Sequence, residues 1–291
     1  MKPAPFAYHR PRTRGEVDDL LSAFGPEAKV LAGGQSLVPL LNMRLATPAH
    51  IVDINGLEGE PADSSTRADG LAFGPLVRHH AVEGSVAVSE RLPILREAIG
   101  YVGHPAIRSR GTVVGSIAHA DPAAELPAVL ILVGGDVSVR SALGHRTVKA
   151  EDFLSGPFQP GLGDDEWVEE VRFPTPQDRR GFAFEEFARR SGDYALCGVA
   201  ASAGADGAGR VVLALCYLGM GPVPVRLELP PLDPREIADG ALAQALAATV
   251  PSRLEPANDL HATRDYRLWL AERLGARAAR RAAAALVGND P

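Results

Sequence analysis

Residues 29–41, KVLAGGQSLVPLL, constrain the fold of this chain more than any other stretch. The apolar run Val30 to Ala32 reads as a strand, Gly33-Gly34 as a turn, and the polar pair Gln35-Ser36 opens a second apolar segment with helical spacing. Two adjacent glycines carry no β-carbon, so the backbone can enter positive φ and a ligand can press against bare N–H groups. Ser36 is placed to cap the helix that follows, where unpaired amides favour an anion such as a phosphate. An ordinary tight turn carries the same local signature, so the stretch defines strand, turn and helix before it defines a ligand.

The rest of the chain bounds what that unit belongs to. With 291 residues and 46% hydrophobic content, it can build one large or two to three smaller domains with real cores. A formal charge of -6 leaves no electrostatic footprint for nucleic acid or an anionic membrane. No apolar run approaches the roughly 20 residues that span a bilayer. Residues 1–15 are too polar and proline-rich for a signal peptide, so a cytoplasmic location is expected. Cys197 and Cys216 lie in separate apolar runs and read as lone buried thiols, too few to ligate an iron-sulfur cluster on their own.

Thr13-Arg14-Gly15-Glu16 has capping-box spacing, and Val17, Leu20, Leu21 and Phe24 follow at helical intervals before Gly25-Pro26. With a helix from Ser36 to Arg44 and a buried strand from His50 to Ile54, residues 1–55 are predicted to form a small α/β unit. Glu58 to Gly70 reads as a surface connection at a subdomain boundary. Strand spacing follows at Leu71 to Gly74, and helical spacing at Leu92 to Tyr101 and Pro122 to Leu132. Between those helices, Gly103 to Asp121 is too glycine-rich and polar to serve packing alone. Asp136 to Arg140, His145 to Lys149 and Trp167 to Phe173 alternate as strands of a half-covered sheet. After Pro174-Thr175-Pro176, strands are predicted at Phe182 to Ala188, Ala195 to Ala203 and Arg210 to Met220, the last two joined by a hairpin at Gly204 to Gly209. A helix from Thr263 to Leu286 closes the chain, with Tyr266, Leu270 and Leu274 as its apolar stripe and its arginines as a solvated face, a partner surface being the alternative.

Several motifs stand in the order and spacing of one family. They are Tyr8-His9-Arg10-Pro11, Ala32-Gly33-Gly34-Gln35-Ser36-Leu37, His50-Ile51-Val52-Asp53-Ile54, Ile107-Arg108-Ser109-Arg110-Gly111-Thr112, Asp121-Pro122-Ala123-Ala124-Glu125-Leu126-Pro127, Gly192-Asp193-Tyr194-Ala195 and Asp265-Tyr266-Arg267. On these residues the chain resembles the FAD-binding medium subunit of molybdenum hydroxylases, the group that includes aerobic carbon monoxide dehydrogenase and xanthine dehydrogenase. The resemblance implies an α+β fold. A two-subdomain FAD-binding unit of the vanillyl-alcohol oxidase/PCMH type would occupy residues 1–57 and 58–176, followed by a C-terminal α+β domain of the CO dehydrogenase flavoprotein type over residues 177–291.

The same resemblance implies that Ala32, Gly33, Gly34, Gln35, Ser36 and Leu37 hold the FAD diphosphate through backbone amides. It implies contacts from Thr112, Gly115 and Ser116 to the ribityl chain or diphosphate, and places Asp121 near the ribityl hydroxyls. Tyr194 would cover the isoalloxazine, with a core or interface tyrosine as the alternative, and His119 would face the flavin, with a structural histidine as the alternative. The second loop departs from the family pattern, with Val114 in place of a glycine and Ser116 in place of an amide or carboxylate. If the family's glycine has positive φ, a β-branched residue there is strained by about 1 kcal/mol or more; retention of FAD is the expectation, because the first loop is intact and Ser116 keeps a hydroxyl donor, and a weakened or repositioned flavin is the alternative.

By resemblance, the function is electron transfer. A large molybdenum-cofactor subunit oxidises substrate, a small subunit relays electrons through [2Fe-2S] clusters, and FAD in this chain delivers them to a small-molecule acceptor: NAD, quinone or oxygen. Electron relay needs no side-chain acid or nucleophile, and Ser36 and Ser116 have no local base, so no catalytic residue is assigned. His79-His80 has no third ligand at a sensible spacing and reads as surface, so no metal site is assigned. The altered second loop motivates a rival, a free-standing flavin dehydrogenase or oxidase acting directly on an organic substrate. A scaffold without FAD is a third reading.

Overall fold

The computed structural model describes residues 2–237 and 240–288. β1 (Ala7–His9), α1 (Arg14–Phe24), β2 (Ala28–Leu31), α2 (Leu37–Met43) and β3 (His50–Asp53) form a parallel sheet in the order β1-β3-β2. Parallel strands need crossovers, and the two helices supply them. The carboxyl ends of β2 and β3 therefore open on one edge, where ligands of such sheets bind. At α1 the expected cap forms with a shift: Thr13 Oγ1 accepts from the Glu16 amide at 3.2 Å, while the Glu16 carboxylate accepts from the Arg12 amide at 2.6 Å. Val17 and Leu21 are buried against the sheet as the spacing requires.

The second unit runs from β4 (Ser65–Arg67) and β5 (Gly70–Phe73) through helices α3 (His79–Gly84), α4 (Val86–Arg91), α5 (Pro93–Ile99), α6 (Pro105–Arg108), α7 (Val113–His119) and α8 (Glu125–Leu132). It continues with β6 (Asp136–Ser141), β7 (Gly144–Lys149), α9 (Ala150–Phe153), β8 (Leu154–Gly156), β9 (Gln159–Pro160) and β10 (Trp167–Pro174). Its main sheet has the order β4-β5-β10-β6-β7 and is antiparallel. β4 corrects the expectation that residues 58–70 are only a surface connection. Its side chains are all exposed, so the strand is held by backbone pairing to β5 and leaves no apolar alternation to read.

β11 (Gly181–Phe187), β12 (Cys197–Ala205), β13 (Val211–Leu218) and β14 (Val225–Glu228) make a third, antiparallel sheet, with α10 (Ala241–Arg253) and α11 (Arg264–Gly288) on one face. The other face packs on α8, whose residues Leu126 to Leu132 are all buried. A helix covered on both sides is apolar all round, which is why this segment shows no amphipathic stripe. β12 and β13 are likewise covered on both faces. Cys197 belongs to the core beneath α11 and Cys216 to the core around α8, so the two buried thiols are free and face opposite ways.

α11 reverses two expectations. Leu270 and Leu274 are buried, but Tyr266 is 39% exposed and Arg267 is 5% exposed, so the inward stripe contains an arginine and excludes the tyrosine. The remaining arginines are not a simple solvated face either. Arg281 donates to the Glu185 carboxylate at 2.8 Å and to Glu97 at 2.5 Å, and Arg277 also bonds Glu185, tying α11 to β11 and α5. Among the described residues no helix is long and apolar enough to cross a membrane.

Candidate cofactor site

The glycine turn lies where β2 ends, and its two glycines do different work. Gly34 has φ +71°, a conformation that favours glycine. A β-carbon at Gly33 would stand 2.5 Å from the Arg110 carbonyl oxygen and 2.8 Å from the Gly111 Cα. Gly33 is therefore required by the contact between the first loop and a loop of the second unit. Ser36 corrects the expectation of a capping hydroxyl. Its φ −101° and ψ −48° are close to helical, whereas a capping residue is extended, and its side chain makes no cap bond. Among the described residues the amides of Gln35, Ser36 and Leu37 donate to no protein acceptor.

A cavity of about 450 Å³ opens at this turn, lined by Ala32, Gly33, Gly34 and Gln35 together with Asp53, Asn55, Ile107 and Arg110. Ser36 and Leu37 are outside its lining. A short polar chain joins the two loops across it. Asn55 Nδ2 donates to the Ala32 carbonyl at 2.7 Å, Arg78 Nη2 donates to Asn55 Oδ1 at 2.5 Å, and Arg78 Nη1 donates to the Arg110 carbonyl at 2.5 Å. Burial, then the neighbouring Arg110 charge, lowers the Arg78 pKa within a range where it remains a cation. Asp53 accepts from Tyr8 Oη at 2.5 Å and from the Asn55 amide at 3.0 Å. Burial alone would raise its pKa, but these hydrogen bonds outweigh it and hold the carboxyl below its ordinary value.

The second loop is a helix cap. Thr112 has extended angles and its Oγ1 accepts from the Gly115 amide at 2.9 Å, opening α7. A β-carbon on Gly115 would meet that oxygen at 2.7 Å, so the glycine serves the cap. Val114, expected to be strained, is instead a buried residue in the first turn of α7 without positive φ, and its side chain packs in the core. The strain expectation fails because Thr112 converts the loop into helix, where a β-branched side chain at negative φ is tolerated. His79 also departs from expectation: it is buried under Gly111, and neither ring nitrogen has a hydrogen-bond partner. Desolvation lowers its pKa to about 4; the Thr112 backbone approaches the ring and offsets part of this without closing a hydrogen bond. His80 remains exposed.

α7 ends at Ala120, whose φ of +51° turns the chain so that Asp121 follows, buried, with its Oδ1 accepting from the Ala123 amide at 2.9 Å. The His119 ring lies 5.1 Å from the exposed Phe158 ring, and burial lowers its pKa against the opposing effect of Asp121. Tyr194 is 70% exposed, yet its phenol pKa is raised by desolvation, then by Asp121 and Glu125. His119, Asp121 and Tyr194 are thus electrostatically linked, and none of them lines the cavity at Gly33.

Glu125 and Glu186 adjoin this second group. Desolvation, reinforced by Asp121, pushes the Glu125 carboxyl to about 7; desolvation, reinforced by the Glu125 charge, pushes Glu186 to about 9, and Glu186 Oε2 is buried without a partner. Between its ordinary value of 4.5 and about 9, folded Glu186 holds a proton that the unfolded chain has released. Stability therefore falls as pH rises through that window, with a slope approaching 1.4 kcal/mol per unit for this group, roughly. Glu186→Gln is expected to remove this group's slope and so to gain roughly 3 kcal/mol on the unsubstituted chain between pH 6 and pH 8. Urea unfolding at pH 6 and pH 8 checks this; equal pH dependence in both proteins would refute it.

An extended cofactor with a diphosphate suits these features: a turn free of β-carbons, unpaired amides, a cavity whose largely apolar wall carries Asp53, Asn55 and Arg110, and a separate aromatic and carboxylate group further along. Among the described residues no group of three or more His, Cys, Asp or Glu side chains is arranged to hold a metal ion. Asn55, Arg78 and Arg110 were absent from the sequence-derived site. Arg110 stood in a quoted motif and Asn55 just beyond another, but nothing local shows that Arg78 joins them.

Comparison with known proteins bears on the same regions. Residues 4–176 match the family described as FAD binding domain in molybdopterin dehydrogenase, and residues 182–282 match the CO dehydrogenase flavoprotein C-terminal domain. The chain is 37% identical to the caffeine dehydrogenase subunit beta of a Pseudomonas species, covering 88% of this chain and 93% of that protein. It is 38% identical to the 6-hydroxypseudooxynicotine dehydrogenase complex subunit alpha of Paenarthrobacter nicotinovorans, covering 92% and 90%. Among solved structures, carbon monoxide dehydrogenase from Hydrogenophaga pseudoflava superposes with a TM-score of 0.87 at 32% identity, covering 98% of this chain and 99% of the matched chain.

Proposed function

Because this chain belongs to the family of FAD-binding medium subunits of molybdenum hydroxylases, we propose that it relays electrons within a three-subunit dehydrogenase. In this reading a large subunit oxidises substrate at molybdenum, a small subunit carries the electrons through [2Fe-2S] clusters, and they leave from this chain to an external small-molecule acceptor. When bound, FAD supplies the redox chemistry. The chain's own residues bind and orient it. Gln35, Ser36 and Leu37 offer amides to the diphosphate, with Gly33 and Gly34 clearing the approach and Ala32 setting the entry to the turn. Thr112 and Gly115 shape the start of α7, Ser116 presents a hydroxyl, and His119, Asp121 and Tyr194 surround the flavin end.

The observation that carries this reading is the meeting of two loops from separate units at one cavity, with Gly33 against Arg110 and Gly111 and three helix-start amides unpaired. The altered second loop motivates a free-standing flavin enzyme, and Val114 as an ordinary helical residue weakens that motive.

Purification of the chain together with its companion large and small subunits is expected to yield a complex of three chains carrying releasable FAD, [2Fe-2S] clusters and molybdenum. The isolated chain is expected to hold FAD that no organic substrate bleaches. Bleaching of the isolated flavoprotein by a substrate would overturn the relay reading.

A further inference from the structure

Asp53 closes β3 on the edge where β2 opens into Gly33-Gly34, and the two strands are hydrogen-bonded neighbours joined through α2. In dinucleotide-binding β-α-β units with a G-x-G-x-x-G turn, an acidic residue about 20 positions further on, at the end of the next strand, accepts from a ribose hydroxyl; this chain has Gly33-Gly34 in place of that turn but the same order of strand, turn, helix and strand. Asp53 has that place in the chain and in the sheet, and it lines the cavity that Gly33, Gly34 and Arg110 also line.

We propose that Asp53 is a ribose-recognition residue, accepting a hydrogen bond from a hydroxyl of the adenosine ribose of FAD. The proposal rests on the FAD-binding reading and adds an adenosine subsite to it. A carboxylate has about four acceptor positions. Tyr8 Oη occupies one on Oδ2 at 2.5 Å, and the Asn55 amide and Nδ2 occupy Oδ1 at 3.0 and 2.5 Å. One position on Oδ2 is left for a ligand, and the other three bonds fix the carboxylate's orientation. The charges sort the ligand. An anionic phosphate is repelled by Asp53 and attracted by Arg110, whose guanidinium has no ion-pair partner among the described residues. A neutral hydroxyl donor suits Asp53. The diphosphate then lies toward the glycine turn and Arg110, with the sugar toward the end of β3.

The test uses the full chain stripped of flavin and titrated by quenching of flavin fluorescence. The ligands are FAD, two analogues whose adenosine lacks the 2′- or the 3′-hydroxyl, and one with hypoxanthine in place of adenine. In the unsubstituted chain, loss of one of the two hydroxyls is expected to weaken binding about tenfold, while hypoxanthine is tolerated. Asp53→Ala should bind FAD and that deoxy analogue with equal, reduced affinity, and Asp53→Asn should narrow the gap. Equal affinity of the unsubstituted chain for FAD and both deoxy analogues would overturn the proposal. So would a preference that survives Asp53→Ala, because a merely structural effect weakens every ligand by the same factor. Loss of affinity with hypoxanthine alone would assign Asp53 to the base and also overturn it. Failure of the unsubstituted chain to bind FAD at all would refute the cofactor reading itself. If Asp53→Ala does not fold, the analogue series and Asp53→Asn still decide.

Discussion

Gly33→Ala is expected to lower FAD affinity by about 100-fold and to leave the purified chain nearly colourless. The added methyl group would fall 2.5 Å from the Arg110 carbonyl oxygen and 2.8 Å from the Gly111 Cα, and both are backbone atoms that cannot swing aside. The two loops must separate, which strains a closely packed contact by about 1–3 kcal/mol and misplaces the amides of Gln35 to Leu37 relative to α7. Asn55 and Arg78, which bridge the Ala32 and Arg110 carbonyls, stretch with them. Flavin content after gel filtration and the dissociation constant by fluorescence quenching give the two readouts. Full retention of FAD would show that Gly33 is an ordinary turn residue. Gly15→Ala, where the added carbon meets nothing within 4 Å, is the matched control and should bind FAD normally.

Arg267→Ala is expected to destabilise the chain by about 3 kcal/mol and lower Tm by roughly 5–10 °C. Arg267 is buried beneath the segment that carries Tyr194, and its Nη1 donates to the Leu196 carbonyl at 2.6 Å while Nη2 donates to Asp259 at 2.7 Å. Removing it leaves the Leu196 carbonyl without that donor and opens a void in the core below β12. Asp259→Asn should cost far less. Asp259 is partly exposed, and the backbone amides of Ala262 and His261 come before Arg267 among the groups that hold its pKa at about 2. Thermal unfolding of the two variants side by side measures the difference, and equal losses would contradict the assignment of Arg267 to a buried clamp. The Tyr194 segment should also loosen in Arg267→Ala, seen as faster amide hydrogen exchange at residues 194–196.

How much of this was readable from sequence depends on range. α1, β2, the glycine turn and β3 follow from residues within a few positions of one another: a Thr13 cap, apolar spacing at Val17 and Leu21, and glycine at φ +71°. β4 escaped because exposed side chains on a strand held by its backbone leave no pattern. The condition for strain at Val114, positive φ, is not met, because the segment is the first turn of a helix capped by Thr112, which residue types alone did not reveal. Tyr266 and Arg267 exchanged places because neighbours on a helix lie about 100° apart, and an arginine with two buried acceptors can take the inward position.

The sequence by itself determined the order of elements, the strand-turn-helix unit at residues 29–41 and, through motifs in register, the FAD-binding family. These rest on local backbone preferences and on residue types at set spacings, both of which are present in the linear chain. Only the tertiary structure decided why Gly33 must be glycine, that Asn55 and Arg78 join two loops, that Asp53 faces the same cavity as Arg110, and that Arg267 lies under the Tyr194 segment. Each of these is a contact between residues tens of positions apart, and such contacts exist only after the sheets and helices have packed.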